Sequence, residues 1–360
     1  MKKIVLTGGH AGTTALAVIE ELVSQGGSAG GRDKWDIYWI GPKRAFEGAR
    51  FKTLEAKIFP KMGVAFHPIV AGRLQRRFSI HTIPSIIRIP FGFIHALILL
   101  IRIKPKVVLS FGGFAAFPVV VVGSILGIKI IIHEQTVAVG LANKASAVFA
   151  DKIALARQES KEFFPVKKTV VVGNPVMASV VNVKHKDQVG NPPTLLIMGG
   201  SRGSEPINVV VTEALPQLLR KYNVIHLTGE KGFTSFSETK RKNYRVYDFV
   251  EPSAIAELYR QADVVVARAG ANTVSEIMVV GLPAVLIPIP WARFDEQTKN
   301  AQAAEVAKIA IVLPQEMLTG ESLTAKIAEV FGNWEKMTKS YDRTLAKKDA
   351  TAAKALVELL

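Results

Sequence analysis

Short apolar runs rich in β-branched residues recur along the chain, each closing on Gly, Pro or a turn, and each reads as a buried strand. In the first half they are KIVLTGG (3–9), DIYWIG (36–41), VAFHPIV (64–70), VVLSFGG (107–113), IKIIIHE (128–134), KIALA (152–156) and TVVVGNP (169–175). In the second half they are TLLIMGG (194–200), NVIHLTG (223–229), YRVYDFV (244–250), DVVVARAG (263–270), PAVLIPIP (283–290) and AIVLP (310–314). Helical patterns such as TALAVIEELVSQG (14–26) and PINVVVTEALPQLLRKY (206–222) lie between them. Strands alternating with helices predict βαβ units and a parallel sheet, and runs apolar on both faces predict a sheet covered on both sides.

Two such sets, each opening on strand–Gly-Gly, predict an α/β protein of two Rossmann-like doubly wound domains in tandem. A length of 360 residues agrees, at about 150 residues per domain. The joint is expected in the polar, Pro-rich VNVKHKDQVGNPP (181–193), giving domains of residues 1–182 and 190–344. Such sheets bind ligands at the carboxyl ends of their strands, which with two facing domains places the site in a cleft. The tail LAKKDATAAKALVELL (345–360) reads as an amphipathic helix.

IPFGFIHALILLIRI (89–103) reads equally as a core helix or a surface one, and Phe78 to Phe91, rich in Pro and Arg, as an exposed apolar loop. The uncharged stretch from Ile89 to Ile101, 13 residues, is short of the ~20 that a membrane span needs. The opening MKKIVLTGG reads as the first core strand of a mature, non-exported protein.

Composition then narrows the chemistry. With 49% hydrophobic and 21% charged residues the chain is globular, and with 0 Cys it has no disulfide, thiolate metal site or Cys nucleophile. The net charge of +16 is lopsided: residues 1–190 hold 26 basic and 11 acidic side chains, residues 191–360 hold 20 and 19. Between residues 50 and 106 there are 11 basic residues against Glu55 alone. That field attracts a polyanion. The interleaved Ile, Phe, Leu and Pro suit an anionic bilayer, with headgroups outside and acyl chains beneath. Nucleic acid would call for stacking aromatics and amides.

Three Gly clusters follow strands: GGHAGTT (8–14), SFGGFAAFP (110–118) and GGSRGS (199–204). Gly lets backbone amides approach an anion, and a helix start behind the loop adds its dipole, so these read as anion-binding turns or as tight strand–helix packing. None is a P-loop or a G-x-G-x-x-G fingerprint, and no Asp-x-Asp suggests a metal on a nucleotide diphosphate. In ARAGANTVSEI (267–277) a strand turns at Gly270 into a new helix. Glu276 there suits a ribose diol, or else forms a capping box with Thr273.

At these residues the chain resembles a family. GG-x-x-G at Gly8, Gly9 and Gly12, SFGGF, IIIHEQ, VVGNPV, MGGSRGS, RAGANTVSE, GLPAVLIP and DEQTKNA, in order from about residue 3 to about 320, resemble the bacterial peptidoglycan UDP-N-acetylglucosamine transferases that convert lipid I to lipid II. The resemblance implies a glycosyltransferase B fold with a C-terminal helix packing back on the first domain. It implies inverting GlcNAc transfer from UDP-GlcNAc to the MurNAc 4-hydroxyl of undecaprenyl-diphosphate-linked MurNAc-peptide, without cofactor or metal. It also implies a peripheral place on the cytoplasmic face of the cell membrane.

Residue by residue, it implies that Ala271, Asn272, Thr273, Val274, Ser275 and Glu276 hold the α-phosphate and ribose, with Glu276 on the diol. Val250 would pair its backbone with uracil, Ser201 would touch the nucleotide diphosphate, and Gln297 and Asn300 the GlcNAc hydroxyls, while Arg202 or Arg157 is the candidate to replace the phosphate-binding Arg that the family has where Met177 stands. Gly112 and Gly113, with Gly8, Gly9, Ala11, Gly12 and Thr13, would receive the acceptor's diphosphate. His133 and Glu134 would sit near the reacting sugars, and His10, His133 and Glu134 are the candidates for general base.

Some positions depart from the pattern: the first loop is shorter and lacks the family's His after its last Gly, where Thr13 stands. Thr136 replaces an Asn, Met177 an Arg and Phe114 a Tyr. These departures bear on the acceptor side. They leave open another lipid-acceptor glycosyltransferase of the same fold, and a non-catalytic nucleotide-sugar-binding membrane scaffold.

Overall fold

A computed structural model of the chain describes residues 2–9, 11–27, 35–44, 52–71, 82–137, 139–184, 186–200, 203–237 and 241–360. The chain forms two compact units, Met1–Met177 with Thr351–Leu360, and Ala178–Ala350.

Unit 1 runs β1 (Lys2–Thr7), α1 (Gly12–Gly27), β2 (Trp35–Gly41), α2 (Leu54–Ile58), β3 (Ala65–Pro68), α3 (Thr82–Ile103), β4 (Val107–Ser110), α4 (Ala116–Ile125), β5 (Lys129–Glu134), α5 (Leu141–Ser146), β6 (Lys152–Leu155) and β7 (Thr169–Val171). The strands form one sheet in the order β3-β2-β1-β4-β5-β6-β7, parallel throughout. Unit 2 runs α6 (Ala178–Val181), β8 (Thr194–Met198), α7 (Glu205–Leu218), β9 (Asn223–Leu227), α8 (Glu230–Ser237), β10 (Tyr244–Tyr247), α9 (Pro252–Gln261), β11 (Val264–Ala267), α10 (Ala271–Val280), β12 (Ala284–Leu286), α11 (Glu296–Val306), β13 (Ala310–Val312), α12 (Gly320–Gly332), α13 (Trp334–Ser340) and α14 (Thr344–Val357). Its sheet is also parallel, in the order β10-β9-β8-β11-β12-β13.

Each of the thirteen apolar runs holds one strand. The reason is visible in burial: β4 and β11 are buried at every position, because helices cover both faces of a sheet whose crossovers are helical. In each sheet the order reverses between the first strand and the fourth, β1/β4 in unit 1 and β8/β11 in unit 2. In doubly wound sheets ligands bind at the carboxyl ends of the strands at such a reversal. The end of α14 is grouped with unit 1, where Lys129 Nζ donates to the carbonyls of Leu359 and Leu360 at 2.8 and 3.0 Å.

The expectation of an apolar loop over Phe78–Phe91 is corrected from Thr82 on, because α3 begins there; residues 72–81 lie outside the described residues. Pro84 falls in the first turn, where backbone amides have no intrahelical partner, and Pro90 costs the helix a single hydrogen bond. Both readings of 89–103 hold, on opposite faces. Ala96, Leu99, Leu100 and Ile103 are buried in the core of unit 1, while Phe91, Ile94, Leu97, Ile98 and Ile101 are exposed by 39–58%. Among the described residues no helix is long and apolar enough to cross a membrane.

Candidate active site

In unit 2 the two loops at the β8/β11 reversal are joined through a buried cation. Arg268, just past β11, donates from Nε to Ser204 Oγ (3.0 Å) at the start of α7, from Nη1 to the Ile287 carbonyl (3.1 Å), and from Nη2 to Gln315 Oε1 (2.6 Å). It is 5% exposed, and none of those partners is a carboxylate. Burial lowers its pKa to about 10. A desolvated positive charge between the loops after β8 and β11 favours an anion there. The first of these loops is folded tightly on its neighbour: a Cβ on Gly203, at φ 75°, would meet the Thr228 carbonyl oxygen at 2.0 Å, so only Gly fits. Ser201 and Arg202 lie outside the described residues.

The capping-box alternative for Thr273 and Glu276 does not hold. The N-cap of α10 is Gly270, with φ −65° and ψ 147° and no side-chain cap, so Ala271, Asn272 and Thr273 form the first turn and Glu276 lies in the second. No acidic residue sits in that first turn, so no side chain of the turn itself neutralises the positive end of the helix dipole. Asn272, Thr273 and Val274 follow one another around the helix start, with Val274 N donating to the Gly270 carbonyl at 3.0 Å, and Ser275 is buried.

Glu276 is itself buried, at 7% exposure. Its Oε2 accepts from Tyr259 Oη at 2.8 Å, and Oε1 has no hydrogen bond among the described residues. Burial raises its pKa to about 7, against the lowering effect of the Tyr259 hydrogen bond. Gln297 Oε1 accepts from Ile289 N at 3.1 Å, and Asn300 Nδ2 donates to the Ala269 carbonyl at 3.1 Å. Those bonds tie the start of α11 to the loops after β11 and β12. Val250 follows β10 at an intermediate depth, next to Phe249, whose amide donates to Asp248 Oδ1.

In unit 1 the corresponding loops meet backbone to backbone. Gly9 N donates to the Gly112 carbonyl at 2.9 Å, and a Cβ on Gly113, at φ 91°, would lie 2.9 Å from Gly9 N. Gly8, Gly9, Gly112 and Gly113 are thus brought together at the β1/β4 reversal. Ala11 is buried and Gly12 N donates to Glu55 Oε1 at 3.0 Å, so the start of α1, unlike that of α10, already faces a carboxylate of this chain. Thr13 is half-buried and Met177 buried in this unit.

The candidate bases differ in their surroundings. Glu134 accepts on Oε1 from Thr136 N (3.0 Å) and Oγ1 (2.8 Å), and on Oε2 from Asn143 Nδ2 (2.9 Å) and Gly140 N (3.3 Å). Burial pushes its pKa up, while those bonds pull it down. With both oxygens organising the loop after β5, Glu134 has the surroundings of a framework group. His133 is fully buried, its Nε2 3.1 Å from the Gly173 carbonyl, which fixes that nitrogen as the donor. His10 lies outside the described residues.

Sequence reasoning did not single out Tyr259 or Glu55. Neither belongs to a motif; each acts through a helix packed beside a Gly turn.

Residues 4–155 match the glycosyltransferase family 28 N-terminal domain, and residues 194–356 the glycosyltransferase family 28 C-terminal domain. A UDP-N-acetylglucosamine–N-acetylmuramyl-(pentapeptide) pyrophosphoryl-undecaprenol N-acetylglucosamine transferase 2 of Bacillus cereus is 34% identical over 345 residues, 93% of each chain. The protein so named, without a number, in Lachnoclostridium phytofermentans is 34% identical over 343 residues, 92% of each chain. The crystal structure of MurG from Acinetobacter baumannii superposes with a TM-score of 0.71 at 24% identity, covering 100% of this chain and 99% of that one.

Proposed function

The chain belongs to glycosyltransferase family 28, among the pyrophosphoryl-undecaprenol N-acetylglucosamine transferases, and from that premise we propose the reaction, substrates and residues that follow. The protein transfers GlcNAc from UDP-GlcNAc, with inversion, to the 4-hydroxyl of MurNAc on the undecaprenyl-diphosphate-linked MurNAc-peptide, a step of peptidoglycan synthesis. The observation that carries the donor side is the pairing in unit 2 of an acid-free helix start with the buried Arg268, both at the β8/β11 reversal.

UDP lies there, its diphosphate over Ala271–Thr273 and the 199–204 loop and its ribose diol on Glu276. Uracil reaches the Val250 backbone, and the GlcNAc ring reaches Gln297 and Asn300. As the acceptor hydroxyl attacks the anomeric carbon, a new C–O bond forms, the bond to UDP breaks, and the leaving diphosphate's charge is taken up by amides and dipole already in place. The acceptor's proton goes to a general base. His10 is the favoured group, because Glu134 is committed to its loop and His133 is buried.

Unit 1 takes the acceptor, at Gly8, Gly9, Gly112 and Gly113. The apolar face of α3 meets the bilayer in which a polyprenyl acceptor resides, with Arg102, Lys104 and Lys106 at its end for anionic headgroups. In this reading the departures at Thr136 and Met177 adjust the acceptor contacts and leave the donor site intact.

The test is transfer of labelled GlcNAc to a short-chain lipid I analogue by wild type, Glu276→Ala and His10→Ala. The reading expects turnover by wild type and strong losses in both variants. Binding of UDP-GlcNAc without turnover would favour the scaffold alternative, and turnover on a different lipid alcohol the other-acceptor one.

A further inference from the structure

Glu276 carries two oxygens, and the fold treats them differently. Its side chain leaves α10 into a buried setting where one oxygen takes the hydroxyl of Tyr259, a residue of α9 that is 1% exposed and whose hydroxyl also lies 3.8 Å from Met198 Sδ on β8. We propose that Tyr259 is a positioning residue for the nucleotide: by donating to Oε2 it fixes the rotamer of Glu276, keeps the group a carboxylate, and turns Oε1 to the ribose diol. The inference rests on the ribose assignment above.

The chemistry follows from donor and acceptor counts. A diol donates two hydrogen bonds, so the group beneath it must be an ionised, acceptor-only carboxylate. Burial opposes that ionisation, pushing the Glu276 pKa up to about 7, and the Tyr259 hydroxyl is what favours the charged form. Other ionisable groups on the neighbouring elements are occupied elsewhere. Glu257 and Arg260 of α9 pair with each other at the surface. Arg268 is committed to Ser204, Ile287 and Gln315, and Tyr341 donates to the Met278 carbonyl. The short α6 has no ionisable side chain, and α11 carries Glu296, Lys299 and Glu305.

The experiment is calorimetric titration of UDP, and of dUDP, which lacks one hydroxyl of the diol, into the full chain across a range of pH. Wild type is expected to prefer UDP at high pH and to lose that preference as Glu276 protonates. Tyr259→Phe is expected to move the midpoint up by about one pH unit and to weaken UDP about fivefold near neutrality. The same change is expected to have no effect in a Glu276→Gln background.

An unmoved midpoint in Tyr259→Phe, with the UDP preference kept, would overturn the inference and leave the ribose assignment standing. No preference for UDP over dUDP in wild type, with Glu276→Gln unchanged, would overturn both. Should Tyr259→Phe unfold, difluorotyrosine at the same position supplies a stronger donor of nearly the same shape. It is expected to move the midpoint down, and an unmoved midpoint there overturns the inference as well.

Discussion

The two units share a sheet topology and a reversal point but equip them differently. At β1/β4 the loops meet through backbone, Gly9 N on the Gly112 carbonyl, and the helix behind them starts against Glu55. At β8/β11 they meet through side chains, Arg268 on Ser204, and the helix behind starts on Gly270 with no acid in its first turn. One topology therefore supplies two kinds of turn: a close-packed one whose helix start already faces a carboxylate, and one that seats a buried cation with no carboxylate partner beside an acid-free helix start. Strand order chooses where a ligand binds, and the side chains at the reversal choose its charge.

The difference can be broken first at Glu276. Glu276→Ala is expected to lower kcat/KM for GlcNAc transfer about 10²–10³-fold, since it removes a charged acceptor from the donor site. Glu55→Gln, its counterpart at the other reversal, should leave UDP affinity within about twofold, because that carboxylate serves its own helix. Steady-state kinetics and UDP titration read both; a comparable loss of UDP affinity from the two variants would erase the distinction.

Next comes pH, where unit 2 carries two buried groups of opposite sign. His226 accepts on Nδ1 from the Tyr244 hydroxyl and donates from Nε2 to Asn208 Oδ1, whose amide is oriented by donating to the Thr228 carbonyl. Its pKa is lowered by burial from 6.5 to about 4, so the unfolded chain binds the proton more readily. Its contribution is complete above 6.5 and is lost as pH falls to about 4, a change of about 3 kcal/mol. Glu276, raised from 4.5 to about 7, runs the other way: its contribution is complete below 4.5 and is lost as pH rises to about 7, again about 3 kcal/mol. Denaturant unfolding across this range should show one limb flattened in His226→Gln and the other in Glu276→Gln.

Much of this was legible in the sequence. The strands were, because each apolar run closes on Gly, Pro or a turn and the central ones, β4 and β11, are buried at every position, while the edge strands β3 and β7 are only partly covered; so were the Gly turns. What escaped lies where tertiary packing decides. The first turns of α3 read as loop because Pro84 and Pro90 lie in them, yet one tolerates its helix position and the other costs a single bond. The Thr273–Glu276 spacing mimics a capping box, but the helix starts on Gly270 because the turn after β11 leaves no extended residue later. Tyr259 is 17 residues from its partner and on another helix, a separation no motif records.

Two smaller effects sharpen the comparison from unit 1. Gly113→Ala must hold a side chain at φ 91° against the Gly9 backbone, and should cost about 1–3 kcal/mol of stability while leaving UDP affinity unchanged. Thermal unfolding beside UDP titration checks it. Ile94→Ser with Ile98→Ser, both on the exposed face of α3, should weaken binding to anionic vesicles about tenfold with no loss of stability. Binding of wild type should fall as salt rises. Vesicle co-sedimentation decides, and equal binding of wild type to neutral vesicles at high salt would remove the membrane role of that face.

Whether the β8/β11 reversal holds the nucleotide is decided by a crystal structure of the protein with UDP. The diphosphate is expected over Ala271–Thr273 and the ribose hydroxyls within hydrogen-bonding distance of Glu276 Oε1. UDP bound at the β1/β4 reversal, or bound in unit 2 with its ribose away from Glu276, would contradict that expectation.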